Sequence, residues 1–419
     1  MPENISSFQM NLQHEIIWLV NDLSKLKVLH VTPHLGGGVG RCLSTISQVK
    51  FDEVNREFLL LESPVDRSFY DVISQKHKIR IVNYQNDTEQ YLQTFDIIQC
   101  EFWNHPAMLH FLNYSKNIRL RRIFWCHISG LGDIRFPLNF LNSDNKIIFT
   151  SEISNAEYRT RNPVVNSGFV FAENNDESTE HNREYDFVYA GQLDYRKLHA
   201  EFTNIILQAA TLSQTEVNIL GDGRDRQLIQ DKISSDNVVF HGHVNNVRDY
   251  FSRSKFLIYP LNEEHYGTGE NIIKEAMSQG CVPLLLSNPA EVEIMKEHSS
   301  FLCHKSEGCL VQSFYKLIKD DALVEHYSNL LKRFSEHNYS VKLSVDQLAQ
   351  VYTDSLGAQT PGLFEMQEAF GGSPMEWHEA FGNHQETSEN KNIPSKGSRA
   401  HFEQYFSQGE TVLGVNYGR

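Results

Sequence analysis

The sequence predicts an α/β protein built from two parallel-sheet halves. Strand-sized apolar runs alternate with helix-sized segments from Lys27 to Thr150, a polar acidic stretch interrupts them at residues 166–185, and the alternation restarts from Asp186 to His304. Strands separated by helices are the pattern of a parallel sheet covered on both faces. A chain of 419 residues has room for two or three such domains.

Taken in order, residues 1–25 read as an irregular start with one short amphipathic helix around Ile16 to Leu23. Lys27 to Thr32 is an apolar strand that enters a glycine-rich turn, Gly36-Gly37-Gly38-Val39-Gly40, followed by a helix from Arg41 to Val49. Strands are expected next at Glu57 to Leu61, Ile79 to Val82, Asp96 to Gln99, Arg122 to Trp125 and Lys146 to Thr150. Residues 166–185 have little to bury and read as a linker. In the second half, strands are expected at Asp186 to Ala190, Glu216 to Leu220, Val238 to Gly242, Lys255 to Leu261, Val282 to Ser287 and Phe301 to His304. Helices fall at Lys197 to Thr211, Asp225 to Ile233, Val247 to Ser254, Asn271 to Gln279 and Glu291 to His298, then at Glu307 to Glu336 and Ser340 to Leu356. The domains are therefore 1–165, the linker, 186–339, a helix at 340–356 and a C-terminal tail at 357–419. Within the tail, Glu368-Ala-Phe-Gly371 recurs as Glu379-Ala-Phe-Gly382, too short a repeat for a solenoid. Residues 383–398 are polar and expected to be disordered, and His401 to Phe406 to form one more amphipathic turn that docks on the body or a partner.

Composition excludes several classes. Apolar residues make up 40% of the chain, enough for sizeable cores. A net charge of −15 argues against a protein that coats nucleic acid or an anionic membrane. The six cysteines are scattered without Cys-x-x-Cys spacing and read as reduced. No apolar run approaches the ~20 residues that span a bilayer, and Met-Pro-Glu-Asn at the start lacks the pattern of a secretory signal, so the expected location is the cytoplasm. Arg119, Arg121 and Arg122 are the one tight basic group that a peripheral membrane contact could use, against the blander reading of a solvated loop.

Three segments carry chemistry. The first glycine turn opens a helix at a strand's carboxyl end, where backbone N–H groups can approach a diphosphate. Arg41 replaces the third glycine of a dinucleotide fingerprint, and no acidic ribose partner follows about twenty residues on. The second is Ala190-Gly-Gln-Leu-Asp-Tyr-Arg196-Lys197, two adjacent cations at a strand-to-helix junction, suited to a diphosphate or else simply solvated. The third runs from Tyr259 through Gly267-Thr268-Gly269 into a helix. Thr268 caps that helix in this reading, the N–H groups of Gly269, Glu270 and Asn271 face a phosphate, and Asn271 and Glu275 share a helical face. The plain alternatives are a first-turn acid for Glu270 and a surface acid for Glu275.

The order of motifs resembles the family-4 retaining glycosyltransferases of GT-B fold over about residues 26–356. The matching pieces are Lys27 to Arg41, Trp125-Cys-His127, Ala190 to Lys197, Leu220-Gly-Asp-Gly223, Val239-Phe-His-Gly242 and Tyr259 to Pro283. The resemblance implies two Rossmann-like domains facing across a cleft, an acceptor in the first, a nucleotide sugar in the second, and a final helix, here 340–356, crossing back. It also implies Glu275 on the ribose, Lys197 on the diphosphate, Gly37 and Gly38 near the donor phosphate, and His127 on the donor sugar. Gly267 stands where the family's first glutamate would be, so Glu270 or Glu264 substitutes, as in a subgroup with a His-Tyr-Gly-Thr-x-Glu-Asn loop. Gln192 replaces a common arginine, a charge that Arg196 can supply.

The implied activity is transfer of a sugar from a UDP- or GDP-linked donor to a saccharide or lipid-linked acceptor in polysaccharide assembly, with retention of configuration. His127, Lys197, Arg196 and Glu270 would serve the chemistry, and Gly37, Gly38, Gly267, Thr268, Gly269, Asn271 and Glu275 would bind the donor. No cofactor and no metal is expected, since fixed cations would meet the leaving-group charge and His241 and His243 lack further zinc ligands. An epimerase or phosphorylase of the same fold, a nicotinamide oxidoreductase and a non-catalytic nucleotide-sugar subunit are the competing readings.

Overall fold

The computed structural model describes residues 25–51, 53–84, 87–132, 134–167, 183–244, 246–263, 265, 267, 269–382, 394 and 396–412. The expected helix at Ile16 to Leu23, most of the 166–185 linker and most of the 383–398 stretch lie outside them.

Two six-stranded sheets organise the chain. The first holds β1 (Leu26–Thr32), β2 (Val54–Leu60), β3 (Lys78–Ile81), β4 (Ile97–Phe102), β5 (Arg122–Cys126) and β6 (Lys146–Phe149), in the order β3-β2-β1-β4-β5-β6. The second holds β7 (Tyr185–Ala190), β8 (Val217–Leu220), β9 (Val238–Gly242), β10 (Ser254–Tyr259), β11 (Val282–Leu286) and β12 (Cys303–His304). Its order, β9-β8-β7-β10-β11-β12 read from the other edge, is the same. Central pairs run parallel, β1 with β2 and β4 and β7 with β8 and β10. Such strands are largely apolar because both faces are covered, and β4 and β5 are buried at every residue, Gln99, Glu101 and Arg122 included. In each sheet the strand order reverses beside the first strand, between β1 and β4 and between β7 and β10. Ligands of open parallel sheets sit outside the carboxyl ends of strands at that point.

The chain forms two compact units: Met1–Cys126 with Phe136–Ile148 and Val345–Arg419, and His127–Arg135 with Phe149–Ser344. This differs from boundaries at 165 and 340. Residues after β6 join the second unit because the backbone N–H groups of Glu152 and Ile153 donate to the Glu293 carboxylate at 2.9 and 3.1 Å. The helical stretch expected from Glu307 to Glu336 is two helices, Glu307–Leu317 and Asp321–Tyr339, the second capped by Asp320. Helix Val341–Ala358 returns the chain to the first unit, where the Tyr352 hydroxyl donates to Gln99 Oε1 at 2.6 Å.

The tail is built into the first unit. Phe364, Phe370 and Phe381 join Phe102, Phe124 and Phe140 in one aromatic cluster, all nearly inaccessible. The eleven-residue echo is thereby explained: each Glu-Ala-Phe-Gly ends a short helical segment, and Phe370 and Phe381 stack on each other at 5.5 Å. The basic group is structural too. Arg122 is 1% exposed and donates to the carbonyls of Ser115, Ile118 and Gly362, while Arg121 donates to those of Asp96 and Gln359. Neither a membrane patch nor a solvated loop describes these two side chains. Among the described residues no helix is long and apolar enough to cross a membrane.

Candidate functional site

The second unit gathers its chemistry at the β7/β10 reversal. The segment leaving β7 does not open a helix at Lys197, as the sequence suggested; the helix begins at Phe202. Instead it zips onto the segment leaving β10: Leu198 bridges Leu261, His199 N–H donates to the Pro260 carbonyl, and Asn262 N–H donates to that of Lys197. Lys197 and Arg196 therefore lie in or beside paired backbone and not at the start of a helix. The Leu220-Gly-Asp-Gly223 motif serves the same packing, since a Cβ at Gly221 would overlap the Gly191 carbonyl oxygen.

The two adjacent cations diverge. Arg196 turns back on Asp194, donating to its carboxylate through Nε at 2.8 Å and also through Nη2. Burial raises the Asp194 carboxyl, and the Arg196 bonds more than offset it, holding it below the usual carboxylate range. Lys197 Nζ lies 3.0 Å from Glu270 Oε2 and 5.7 Å from the centre of the Tyr259 ring. The Tyr259 hydroxyl donates to the same Oε2 at 2.7 Å. Burial pushes the Glu270 carboxyl up, but Lys197, His265 and the Tyr259 bond outweigh it, and Glu270 stays ionised below its ordinary range.

A further pair extends the network. His265 Nε2 sits 3.1 Å from Oε1 of the fully buried Glu291, and its Nδ1 sits 3.6 Å from Glu270 Oε1 while accepting from Gly267 N–H at 3.2 Å. Gly267 is needed here because a Cβ would overlap Glu270 Oε1.

The helix after the turn is Asn271–Ser278, with Glu270 in the cap position instead of Thr268. Thr268 and Glu264 lie outside the described residues. Gly269 lies near Lys274, whose Nζ is 3.4 Å from where a Cβ would be. Lys274 is fully buried and donates to Asn166 Oδ1 at 2.9 Å. Asn271 Oδ1 is buried without a hydrogen-bond partner among the described residues, and Glu275, one turn on, is fully buried and so not a surface acid. Lys197, Glu270, Gly267, Gly269 and Asn271 thus cluster at one sheet edge, with Glu275 on the adjoining helix. Gly37 and Gly38 belong to the first unit, where no described residue crowds the space beside either, while half-buried His127, directly after β5, falls in the second unit. His265, Glu291, Tyr259 and Lys274 were not singled out from sequence. The signal for Lys274 was a lysine inside Asn-Ile-Ile-Lys-Glu-Ala-Met, where an apolar residue would be expected.

Comparison with known proteins fits this geometry. Residues 184–320, which contain the whole cluster, match the family model described as glycosyl transferases group 1. No curated protein matches the chain. Among solved structures it is similar to Anabaena HepE in complex with UDP, at 14% identity and TM-score 0.61, over 78% of this chain and 100% of that one. It is similar to a glycosyltransferase from Rickettsia africae at 12% identity and TM-score 0.63, over 80% and 100%. A third neighbour is the lipopolysaccharide outer core galactosyltransferase WaaB, at 14% identity and TM-score 0.53, over 78% and 99%. The fold is GT-B, with two Rossmann-like domains.

Proposed function

We propose that this protein is a glycosyltransferase that moves a sugar from a nucleoside diphosphate donor to a saccharide or lipid-linked acceptor with retention of configuration. The observation that carries the reading is the pairing of Lys197 with the buried Glu270 at the β7/β10 reversal, inside the segment that matches glycosyl transferases group 1. HepE is described with UDP and with UDP-glucose, which makes a uridine donor the first to test.

The chemistry follows from charge. When the bond between the anomeric carbon and the diphosphate breaks, its electron pair stays on the diphosphate. Lys197 and the N–H groups at the start of helix Asn271–Ser278 meet that growing charge, so they stabilise the transition state more than the ground state. Glu270 and Tyr259 hold the lysine ready, and Asn271 and Glu275 would take the ribose side. The acceptor oxygen bonds to the anomeric carbon from the face the diphosphate leaves, and its proton passes to a diphosphate oxygen. No enzymic nucleophile is required. Six unpaired cysteines, five of them buried, support a cytoplasmic location.

Thermal unfolding against UDP, UDP-glucose, GDP and GDP-mannose tests the donor half. Ligand at about 100 times its dissociation constant adds ~2.7 kcal/mol of stability. One nucleotide class should raise the midpoint of the wild type and not of Lys197→Met, and proton NMR of the glycoside formed should show the donor's anomeric configuration. Failure of every nucleotide to shift the midpoint would sink the proposal.

A further inference from the structure

In the first unit, the loop after β1 carries His34 and Gly36 to Gly38, and the loop after β4 carries Trp103, Asn104 and His105, so both meet where that sheet's order reverses. The tail is delivered to this edge. Asn104 Nδ2 donates to the Gly397 carbonyl at 3.3 Å, the His105 and His401 rings meet edge-on at 4.9 Å, and Ser398 and Phe402 are fully buried. Gly397 has φ +78°, and a Cβ there would overlap Asn104 Nδ2, so only glycine lets the segment lie this close.

The groups brought together suit a polyhydroxylated ring. His34 Nδ1 accepts from Gly36 N–H at 3.0 Å, which leaves the proton on Nε2, a buried nitrogen with no hydrogen-bond partner among the described residues. Burial first, then the charges of Lys396 and His401, lower His34 to about 4, so a neutral donor stands there at neutral pH. Trp103 is half-buried and edge-on to His34 at 5.7 Å, a flat apolar wall of the kind a sugar's C–H face covers. Glu62 Oε2, 3.8 Å from His105 Nε2, and exposed Lys396 add an acceptor and a donor of opposite charge.

We propose that the tail segment Lys396 to His401 completes a saccharide-binding site with His34, Trp103, His105 and Glu62 at the β1/β4 edge. It rests on the glycosyltransferase reading, in which this site takes the acceptor sugar.

The test uses the full chain and saturation-transfer NMR with p-nitrophenyl α- and β-glucosides, galactosides and N-acetylglucosaminides. At least one probe should bind the wild type, and Lys396→Ala, Trp103→Ala and Gly397→Val should each weaken it ten-fold or more. UDP affinity should stay within two-fold. Amide exchange over residues 396–406 reports whether Gly397→Val has released the segment. Unchanged probe affinity with the segment released, tighter probe binding in that variant, or no binding by the wild type would each overturn the proposal. Sugar binding by a wild type that ignores UDP would instead fail the donor reading and leave this site standing.

Discussion

Replacing Lys197 by methionine separates holding the fold from doing chemistry. The substitution leaves the Glu270 carboxylate, 6% exposed, with the Tyr259 hydroxyl and His265 but without its cation. Removing one partner of a buried pair costs roughly 3–5 kcal/mol, because the other charge is stranded. Losing a donor to a developing anion costs about 2.7–4 kcal/mol of transition-state stabilisation, or two to three decades in kcat/KM. Both losses should therefore appear in the single variant, one in urea unfolding and one in transfer kinetics. The double variant Lys197→Met/Glu270→Gln resolves them, since a neutral amide no longer strands a charge. It should recover most of the stability and none of the transfer rate. If it regains transfer to within a few fold of wild type, Lys197 is a prop for Glu270 and the mechanism above is wrong.

Other outcomes follow from the same geometry. Gly267→Ala should push Glu270 from Lys197 and His265, costing about 1–3 kcal/mol of stability and weakening UDP binding, read by calorimetry. His34 and His110 are both lowered to about 4 by burial, so the unfolded chain takes up protons that the folded one refuses. Stability should be full above pH 6.5 and fall by roughly 3 kcal/mol per histidine toward pH 4; a denaturation midpoint that stays level over that range would contradict it. His110→Phe, which can keep the stack on Tyr84, should flatten the slope. Arg122→Leu strands three carbonyls and should lower the melting midpoint sharply without changing binding to anionic vesicles. Phe381→Ala should cost about 3–5 kcal/mol, a value that a disordered tail would not show.

The strands were legible because parallel sheets write themselves as apolar runs. Val238 to Gly242 was read to the residue, and Asp186 to Ala190 lacks only Tyr185. The turn after β10 was legible as a glycine-rich strand-to-helix junction. The partners of its charges were not. Nothing in spacing says that Arg196 folds back on Asp194 while Lys197 crosses to Glu270, because that depends on how two loops 60 residues apart pair their backbones. His265 and Glu291 escaped for the same reason, being distant in sequence and joined by one imidazole. The tail's partners were not legible in its composition: polar residues surround Phe364, Phe370 and Phe381, which pack on Phe102 and Phe124 more than 200 residues earlier.

That separation matters while the chain is being made. Gln99 waits for Tyr352, 253 positions on, and Asn104 for Gly397, 293 positions on. At about 5–20 residues per second, the second wait lasts roughly 15–60 s. The second unit, nearly continuous in sequence, can leave the ribosome and close first, while the half begun earlier stands with Phe102 and Phe124 uncovered. A chaperone that shields this early half during synthesis would be worth more to the yield of active protein than any change that steadies the finished fold.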